Sequence, residues 1–598
     1  MTRPTDSDRG RSLMGAPRLL VEVALAILAG ILCLALSGYF SVNTALPGNL
    51  NGDHIVALIQ AKGYVNGHGF RLDSQLGYPL AMDRLYFPNF DKSYQVFMWL
   101  VARIVHNPFR VIHALYMACL LLMTVFGYWI LRRIGVRTWL AGVGAIAAVL
   151  TPFMLRRSYG HDYLALAISV PLGFGLALRL GAGDPEDDLR RFFRDPLTLI
   201  SIAVVGFSGL YYAFYTVMLA SFVAVAASLG QRRWFPLVAW GAMSVAIFVL
   251  LIFAGYGLHL PEVLAGHFPQ VQRQASDQLF YGIDFPALAE AFQFIPRIAR
   301  GLAQAKVALP EAFAQEGIGE WPGAPLTLAI LAAPLIAATA LAQRGPLPEK
   351  AKLLATTATC LCFAVLFGVR GGIGFLFNLA VSPQIRGDSR LMPFLAFGGV
   401  IILCILAELA ASASRRIGSL APLLAAALLA FCIVPMTGLY AKLQRSHLND
   451  PLTKQLMTSL PAMLQAKDRG DLQAVLELPA APWPTAPPIR DFDVYQHYLP
   501  YVYDRPLGAT RWSYGIDEHQ SGFGVVQFVA SGGGEGLVDR ARRYGFDSVL
   551  IEKRAYDAAE LNRLQGALAA QLAPACRLYE DSMMVLYALN RTPDRRGC

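Results

Sequence analysis

Long apolar runs alternate with short polar segments over the first 440 residues of the chain. Each run is close to the roughly 20 residues that a helix needs to cross a hydrocarbon core about 30 Å thick with every backbone group paired internally. The pattern therefore predicts an all-α, polytopic membrane protein. About eleven spans are expected, near residues 18–40, 108–131, 138–154, 162–180, 197–208, 212–229, 234–257, 324–343, 351–369, 391–413 and 418–439.

One boundary between spans leaves two alternatives. In GFSGLYYAF, Gly206 and Gly209 are compatible with a tight external turn between two spans. They are equally compatible with a kink in one long, tilted helix. The first alternative gives eleven spans.

Basic residues between the runs indicate the orientation. Lys and Arg accumulate on the cytoplasmic side of membrane proteins, and four arginines precede the first span. They are Arg3, Arg9, Arg11 and Arg18. The N-terminus is therefore expected in the cytoplasm as part of a retained first helix, and an odd number of spans places the C-terminus outside.

Two polar segments are expected outside the membrane. Residues 41–107 form a long first external loop, in which KSYQVFMWLVARIV suits a helix lying in the interface. After a transmembrane domain of residues 1–440, residues 441–598 are predicted to form an extracytoplasmic, soluble α/β domain. There LQAVLELP and DSVLIEK read as buried strands, AAELNRLQGALAAQLA as an amphipathic helix and RLYEDSMMVLYAL as a terminal hairpin.

Composition agrees with a membrane protein. Hydrophobic residues make up 55% of the chain and charged residues 15%, against about 25% charged in a typical soluble domain. The net charge of +10 is spread between the spans rather than gathered in one patch, so no nucleic acid partner is expected. The eight cysteines lie mostly inside spans and predict neither a disulfide framework nor a zinc site.

Five arginines lie at predicted external ends of spans, where the orientation bias does not explain them. They are Arg156, Arg157, Arg370, Arg386 and Arg390. Guanidinium groups stay charged and bind two phosphate oxygens at once, so these side chains are predicted to hold the phosphate of an anionic lipid. Alternatively, they reach ordinary lipid headgroups or pair with Asp162, Glu316 and Asp388.

Acidic residues of the first external loop supply the candidate proton acceptor. Asp53, followed by His54, comes shortly after the first span, and a carboxylate there can act as a general base toward a hydroxyl. The alternative is a helix N-cap, because NGDH precedes the apolar IVALIQA. The other acids of this loop, Asp73, Asp83 and Asp91, are expected to be loop or capping residues.

Histidine and tyrosine side chains complete the predicted site. His161 and Asp162 in YGHDYLAL can bond a phosphate or sugar, although a histidine at a helix start is also a common structural residue. Tyr211 and Tyr212 can stack on a sugar ring, and an interfacial aromatic belt explains them equally well. No metal ligand set and no cofactor are predicted, and participation of a divalent metal stays an open alternative.

This arrangement resembles the GT-C superfamily of membrane glycosyltransferases. GYPLAMDRLYFP, GHDYLALAISVPL, GFSGLYYAFYT and SPQIRGDSRLMPFLAFGGVI are similar to its bacterial YfhO-like branch, and the likeness covers about residues 20–410. The resemblance implies inverting transfer of a hexose or pentose from a polyprenyl-phosphate-linked donor. The acceptor is then a glycan, lipid or protein on the periplasmic side of a bacterial inner membrane.

The resemblance also implies roles for particular residues. The catalytic acid of the first external loop maps to Asp53, and the basic residues that bind the lipid phosphate map to Arg386 and Arg390, with Arg156 and Arg157 as further candidates. His54 departs from the pattern, because many relatives have a second acidic residue there. The tryptophan-tryptophan-aspartate motif of oligosaccharyltransferases is absent from the sequence, so neither their metal dependence nor their asparagine acceptor is carried over.

Two other functions are considered. A transporter or flippase of lipid-linked saccharides needs charged groups inside the membrane, whereas here the spans carry only rare acids such as Glu22 and Glu408. A non-catalytic envelope-assembly subunit that uses the external tail fits everything except the grouping of arginines and aspartate at one surface.

Overall fold

The structure is a computed structural model of the full chain. It describes residues 16–84, 90–182, 188–265, 273–284, 286–308, 320–343, 345, 347–385, 387–413, 418, 420–484, 486–506, 508–518 and 520–589.

Helices dominate the described part of the chain. The helices that precede residue 310 are α1 (Ala16–Ser37), α2 (Asp53–Val65), α3 (Lys92–Ala102), α4 (Pro108–Arg133), α5 (Thr138–Val149), α6 (Pro152–Arg157), α7 (Asp162–Ala165), α8 (Ser169–Ala182), α9 (Leu189–Arg194), α10 (Pro196–Phe207), α11 (Leu210–Gln231), α12 (Phe235–Tyr256), α13 (Leu260–Leu264), α14 (Asp277–Tyr281) and α15 (Pro296–Ala308). The later helices are α16 (Ala324–Ala342), α17 (Glu349–Gly368), α18 (Ile373–Ala380), α19 (Met392–Ala413), α20 (Leu420–Ile433), α21 (Leu439–Asn449), α22 (Pro451–Arg469), α23 (Leu499–Tyr503), α24 (Ser521–Ala530), α25 (Leu537–Arg543) and α26 (Ala558–Ala569).

Eight helical segments of the described residues are long and apolar enough to cross a membrane. They contain α1, α4, α11, α12, α16, α17, α19 and α20. The shorter apolar helices α5, α8 and α10 coincide with the three remaining predicted runs. The prediction of a helical, multi-pass membrane protein is therefore confirmed.

The two spans near residue 208 are separate helices. Helix α10 ends at Phe207 and α11 begins at Leu210. Between them Gly209 has a φ of 108°, a conformation that glycine adopts without the steric cost of a Cβ atom. The chain therefore turns here, and the alternative of one kinked helix is wrong.

Ion pairs join several helix ends on one side of the bundle. Near the start of α1, Glu22 accepts from Arg132 at the end of α4, at 2.8 Å. Near the end of α19, Glu408 accepts from Arg137 at 2.8 Å, directly before α5, and lies 3.8 Å from Lys350 at the start of α17. These are the ends that the charge rule assigns to the cytoplasm, so both acids inside the predicted spans neutralise that basic end.

Three bundle helices are too short to reach the opposite side. Helices α5, α8 and α10 have 12, 14 and 12 residues and are therefore about 18–21 Å long. Arg179 in the last turn of α8 bonds Asp195 directly before α10 at 2.7 Å, so these two helices share the basic end of the bundle. Each of the three is shorter than the roughly 30 Å needed to cross the membrane core, so among the described residues eight of the eleven predicted spans have the length of a full crossing.

The C-terminal region contains a mixed sheet of five strands, β3 (Ala474–Leu478), β4 (Arg511–Trp512), β5 (Ser548–Glu552), β6 (Arg577–Glu580) and β7 (Met584–Ala588), in the order β4-β3-β5-β7-β6. Strand β3 pairs in parallel with β4 and β5, whereas β7 pairs antiparallel with β5 and β6. Near the start of the chain, β1 (Leu72–Asp73) and β2 (Met82–Asp83) form a separate antiparallel pair. The predicted strands, helix and terminal hairpin are confirmed, and the boundary at residue 440 stays a prediction.

The expectation that the cysteines form no disulfide framework needs one correction. Cys576 is disulfide-bonded, whereas the other described cysteines are free. A single bonded cysteine in a long tail carries none of the regular spacing by which a framework is recognised from sequence.

Helix α2 is held in place by the C-terminal region. Before the helix, the Gly52 amide donates to Asp493 Oδ2 at 2.8 Å. Near the end of the helix, Lys62 Nζ donates to the Asp504 backbone carbonyl. The C-terminal region therefore fixes both ends of the element that carries Asp53.

Candidate active site

Two aspartate–histidine pairs cross each other at the start of α2. His161 Nδ1 lies 2.7 Å from Asp53 Oδ2, and His54 Nδ1 lies 2.7 Å from Asp162 Oδ2. The dipeptides Asp-His and His-Asp thus face each other in opposite order. Four residues singled out in the sequence are brought together, although 108 positions separate the members of each pair.

The two pairs differ in their access to solvent. The Asp53 and His161 side chains are 53% and 32% exposed, whereas those of His54 and Asp162 are 2% and 4% exposed. The buried pair joins α2 to α7, and the accessible pair presents a carboxylate. Only the accessible pair is therefore placed to react with a substrate.

Asp53 does not cap α2. It is the first helical residue, the N-cap is Gly52, and no side-chain capping bond is formed there. The capping alternative is therefore wrong. Within the described residues, Asp53 Oδ1 accepts no hydrogen bond while Oδ2 is held by His161.

Three tyrosines support the segment that carries His161. The Tyr212 hydroxyl donates to the Leu164 carbonyl, and Tyr94 donates to the Leu166 carbonyl. Tyr163 donates to Gln60 on α2 at 2.6 Å. Tyr212, which the sequence suggested as a sugar contact, is buried and stabilises the backbone of this segment.

Arg390 and Tyr211 form a second polar cluster with Arg273. The Arg390 guanidinium carbon lies 3.7 Å from the centroid of the Tyr211 ring, and Arg273 donates to the Tyr211 hydroxyl at 2.9 Å. Sequence reasoning missed Arg273, because it lies in a long polar connection after α12 with no span boundary to make its charge unusual.

Asp388 fastens the loop that carries Arg390. It is fully buried and accepts from Tyr215 at 2.9 Å and from Gln278 at 3.0 Å. These contacts tie the loop to α11 and α14. Arg386, predicted beside Arg390, lies outside the described residues, as does Glu316.

The remaining predicted arginines occupy three different environments. Arg157 is buried, and its Nε donates to Glu320 at 2.5 Å. Arg370 lies 3.3 Å from Asp284, whose pKa is raised by burial and lowered in part by this guanidinium. Arg156 is exposed. The acids beside Arg157 and Arg370 are thus not those that the sequence suggested.

Asp91 interacts electrostatically with two basic side chains, Arg390 and Lys92. Burial raises the pKa of Asp91 to about 7, against the opposing charges of Lys92 and Arg390. Burial also lowers the pKa of Lys92 to about 8. Lys92 lines a small cavity together with Arg84 and His259. Asp91 stands at the N-cap position of α3 but forms no side-chain capping bond there, and its carboxyl interacts instead with the charges of Lys92 and Arg390.

The other two acids of the first external loop have structural partners. Asp73 is fully buried and accepts from Tyr501 at 2.8 Å. Asp83 lies 3.8 Å from His259. Within the described residues, no group of three or more His, Cys, Asp or Glu side chains is arranged to hold a metal ion.

Residues 94–433 match the family model described as "Domain of unknown function (DUF6311)". The chain belongs to the DUF6311 family. This match gives no support to the YfhO-like branch suggested by the sequence motifs. No curated protein matches the DUF6311 chain at a significant level.

Several solved structures align with this DUF6311 protein over most of its length. Arabinofuranosyltransferase AftD from Mycobacteria has 15% identity and a TM-score of 0.46 over 97% of this chain and 40% of AftD, so the chain spans less than half of that protein. ArnT from Cupriavidus metallidurans, bound to undecaprenyl phosphate, has 14% identity and a TM-score of 0.47 over 97% and 99%. Oligosaccharyltransferase AglB from Archaeoglobus fulgidus, in complex with an inhibitory peptide and a dolichol-phosphate, has 14% identity and a TM-score of 0.43 over 90% and 70%. These values establish neither a substrate nor a reaction for the DUF6311 chain.

Proposed function

We propose that this DUF6311 protein is an inverting GT-C-type glycosyltransferase. It moves a hexose or pentose from a polyprenyl-phosphate donor to a hydroxyl of a glycan, lipid or protein acceptor at the external membrane surface. The observation that carries the proposal is the half-exposed Asp53 carboxylate, held by His161 at the end of the bundle opposite the paired basic helix ends.

In the proposed reaction Asp53 is the general base. The acceptor oxygen attacks the anomeric carbon while Asp53 Oδ1 takes the hydroxyl proton, and the bond from that carbon to the donor phosphate oxygen breaks. The electron pair leaves with the lipid phosphate. General-base assistance contributes about 10²- to 10⁴-fold to a rate, and His161 is a positioning residue that fixes the second carboxylate oxygen.

Arg390 and Arg273 are proposed to hold the leaving phosphate. They meet at Tyr211 at the start of α11, where their combined charge offsets the negative charge that grows on the phosphate. Arg156, which is exposed, and Arg386 stay predicted contacts of the same phosphate. We assign Arg157 and Arg370 to the scaffold, because each already faces a buried carboxylate.

The short helices support entry of the donor from the bilayer. Because α5, α8 and α10 are shorter than the membrane core, we propose that lipid headgroups reach residues 151–168, which connect the end of α5 to the start of α8. The prenyl chain then stays between helices while its phosphate meets the arginines.

The proposed orientation is with this end of the bundle in the periplasm of a bacterial inner membrane. The basic helix ends support it, because cytoplasmic ends accumulate Lys and Arg. The disulfide-bonded Cys576 supports it independently, since disulfides persist in oxidising compartments.

The transport alternative is less consistent with the charges inside the spans. A path for a polar headgroup needs polar groups at intermediate depth. Glu22 and Glu408 are instead paired at the basic end of the bundle.

A reconstituted assay tests the proposal. Proteoliposomes receive undecaprenyl- and decaprenyl-phosphate donors with radiolabelled hexoses or pentoses, and both sugar transfer and movement of the donor across the bilayer are measured. We expect transfer without net movement, and at least tenfold weaker donor binding in Arg390→Ala. Arg297→Ala, which removes an exposed arginine of α15, is the matched control. Donor movement without transfer contradicts the proposal.

A further inference from the structure

An open polar cleft lies beside the start of α2. Its volume is about 640 Å³, within the range of roughly 300–1,000 Å³ that is usual for ligand pockets. Its walls come from the segment before α2, the end of α21 and the start of α22. The lining includes Asn49, Asn51, Ser446, His447, Asn449 and Thr453.

The lining favours a neutral ligand rich in hydroxyl groups. Asparagine, serine, threonine and histidine side chains combine donors with acceptors, which is what a hydroxyl group requires of its partner. Among the described residues no lysine or arginine lines the cleft, so it offers no permanent positive charge to a phosphate or carboxylate. Its one acid, Asp450, accepts from the Thr453 amide at 2.9 Å and caps α22.

The cleft lies next to the proposed base. One residue separates Asn51 from Asp53, so their Cα atoms lie at most about 7.6 Å apart. On the opposite wall the His447 ring is 6.0 Å from the Tyr159 ring, which is itself 6.3 Å from the His54 ring. The cleft thus lies close to the Asp53–His54 dipeptide, and Asn51 is the lining residue nearest to Asp53 along the chain.

The wall before α2 is fixed by the C-terminal region. Gln496 donates to the Asn51 side-chain oxygen at 2.5 Å and to the Leu50 carbonyl at 3.2 Å. Asn49 and Asn51 are therefore presented by a supported segment. The other wall is the junction of two helices, so both sides of the cleft are built before a ligand binds.

We infer that this cleft binds the acceptor and that the acceptor is a neutral glycan. The inference rests on the proposed function, and it narrows the three proposed acceptor classes to one. The donor enters from the bilayer side and the glycan from the aqueous side, with Asp53 between them.

Ligand-detected NMR on the full-length protein tests this. Saturation transfer is measured to the neutral probes maltotetraose, mannotetraose and an arabinan tetrasaccharide, with an acidic tetragalacturonide and a hexapeptide for comparison. We expect a neutral tetrasaccharide to bind, Ser446→Trp to weaken that binding at least tenfold, and Asn449→Ala to weaken it in the same direction. Arg445→Trp, an exposed neighbour on α21 outside the lining, is the matched control.

The binding experiment tests glycan binding in the cleft independently of the proposed sugar transfer. If no neutral probe binds, if only the peptide or the acidic sugar binds, or if Ser446→Trp binds the neutral probe as wild type does, the inference is wrong. Binding needs no turnover, so it tests the cleft even if wild type transfers no sugar. Conversely, normal transfer to a glycan by Ser446→Trp overturns the cleft while leaving the proposed function intact.

Discussion

Removing Arg157 separates its structural role from the phosphate-binding role that the sequence suggested. The side chains of Arg157 and Glu320 are 7% and 6% exposed, and Arg157 Nε lies 2.5 Å from Glu320 Oε1. The pair connects α6, which precedes the His161 segment, to the residues before α16. Arg157→Met keeps most of the apolar length of the side chain but leaves a carboxylate buried without this partner.

The expected cost follows from that burial. Breaking a buried ion pair by removing one partner costs about 3–5 kcal/mol, because the remaining charge is desolvated and uncompensated. Replacing both partners by apolar groups of similar size is often close to neutral. The guanidinium also lies 5.7 Å from the Phe153 ring centroid, and losing that contact costs a further roughly 0.5–1 kcal/mol in either variant.

Unfolding in detergent by SDS titration measures the difference. We expect the free energy of unfolding to fall by about 3.5–6 kcal/mol in Arg157→Met and to recover by more than half in Arg157→Met/Glu320→Leu. Donor affinity should be unchanged in the double variant. Equal stability of wild type and the single variant would refute the argument from burial. Lost donor affinity in a stable double variant would return Arg157 to the phosphate site.

Three further predictions concern buried or strained positions. Burial raises the pKa of Glu477 far above its ordinary value, so the stability that protonated Glu477 gives the fold declines as pH rises above about 4.5. The neutral variant Glu477→Gln should therefore exceed wild type in free energy of unfolding between pH 5 and 8, and this difference should grow by less than about 1.4 kcal/mol per pH unit. A difference that shrinks as pH rises contradicts this prediction. Asp91 is neutral below its pKa of about 7, and its protonation removes a negative charge near Arg390. Donor affinity, measured by binding titration, should therefore rise in wild type as pH falls from 8 to 6 but stay constant in Asp91→Asn. Equal pH profiles of the two proteins exclude an effect of Asp91 on donor binding. In Gly209→Ala the new Cβ atom would lie 2.3 Å from Asp91 Oδ1, at a residue whose φ is 108°. Thermal unfolding should therefore show a loss of about 1–3 kcal/mol in the free energy of unfolding. Gly230→Ala, where the new Cβ atom meets open space, is the control, and equal stability of the two variants argues against strain at Gly209.

The sequence was sufficient to predict the elements but not their partners. Period and length identified the long apolar helices, strands β3 and β5 and the terminal hairpin, because these signals are local; they did not identify α18, α24 or the two-residue strand β4. The break between α10 and α11 could be recognised only from the backbone conformation of Gly209. The presence of Gly206 and Gly209 among apolar residues does not specify that conformation. The apolar pattern does not reveal the short lengths of α5, α8 and α10, since apolar residues continue past the helix ends.

In the candidate active site, too, the sequence identified residues but not the partners they contact in the fold. Asp53 was selected for its place after the first span, and His161 for its place before α8, but nothing local indicates that they bond across 108 positions. Arg157 was judged by its position at a span end, whereas its role depends on Glu320 in a distant segment. Arg273 had no signal at all, because a basic residue in a polar loop is unremarkable until the fold places it on Tyr211.

The central claim is that Asp53 takes the acceptor proton, and single-turnover transfer with saturating donor tests it most directly. Asp53→Asn preserves size and removes the charge, with Asp188→Asn, an exposed helix cap before α9, as control. We predict a rate about 10²- to 10⁴-fold below wild type for Asp53→Asn, with unchanged donor affinity and a wild-type rate for the control. A rate for Asp53→Asn within a few-fold of wild type would contradict the account.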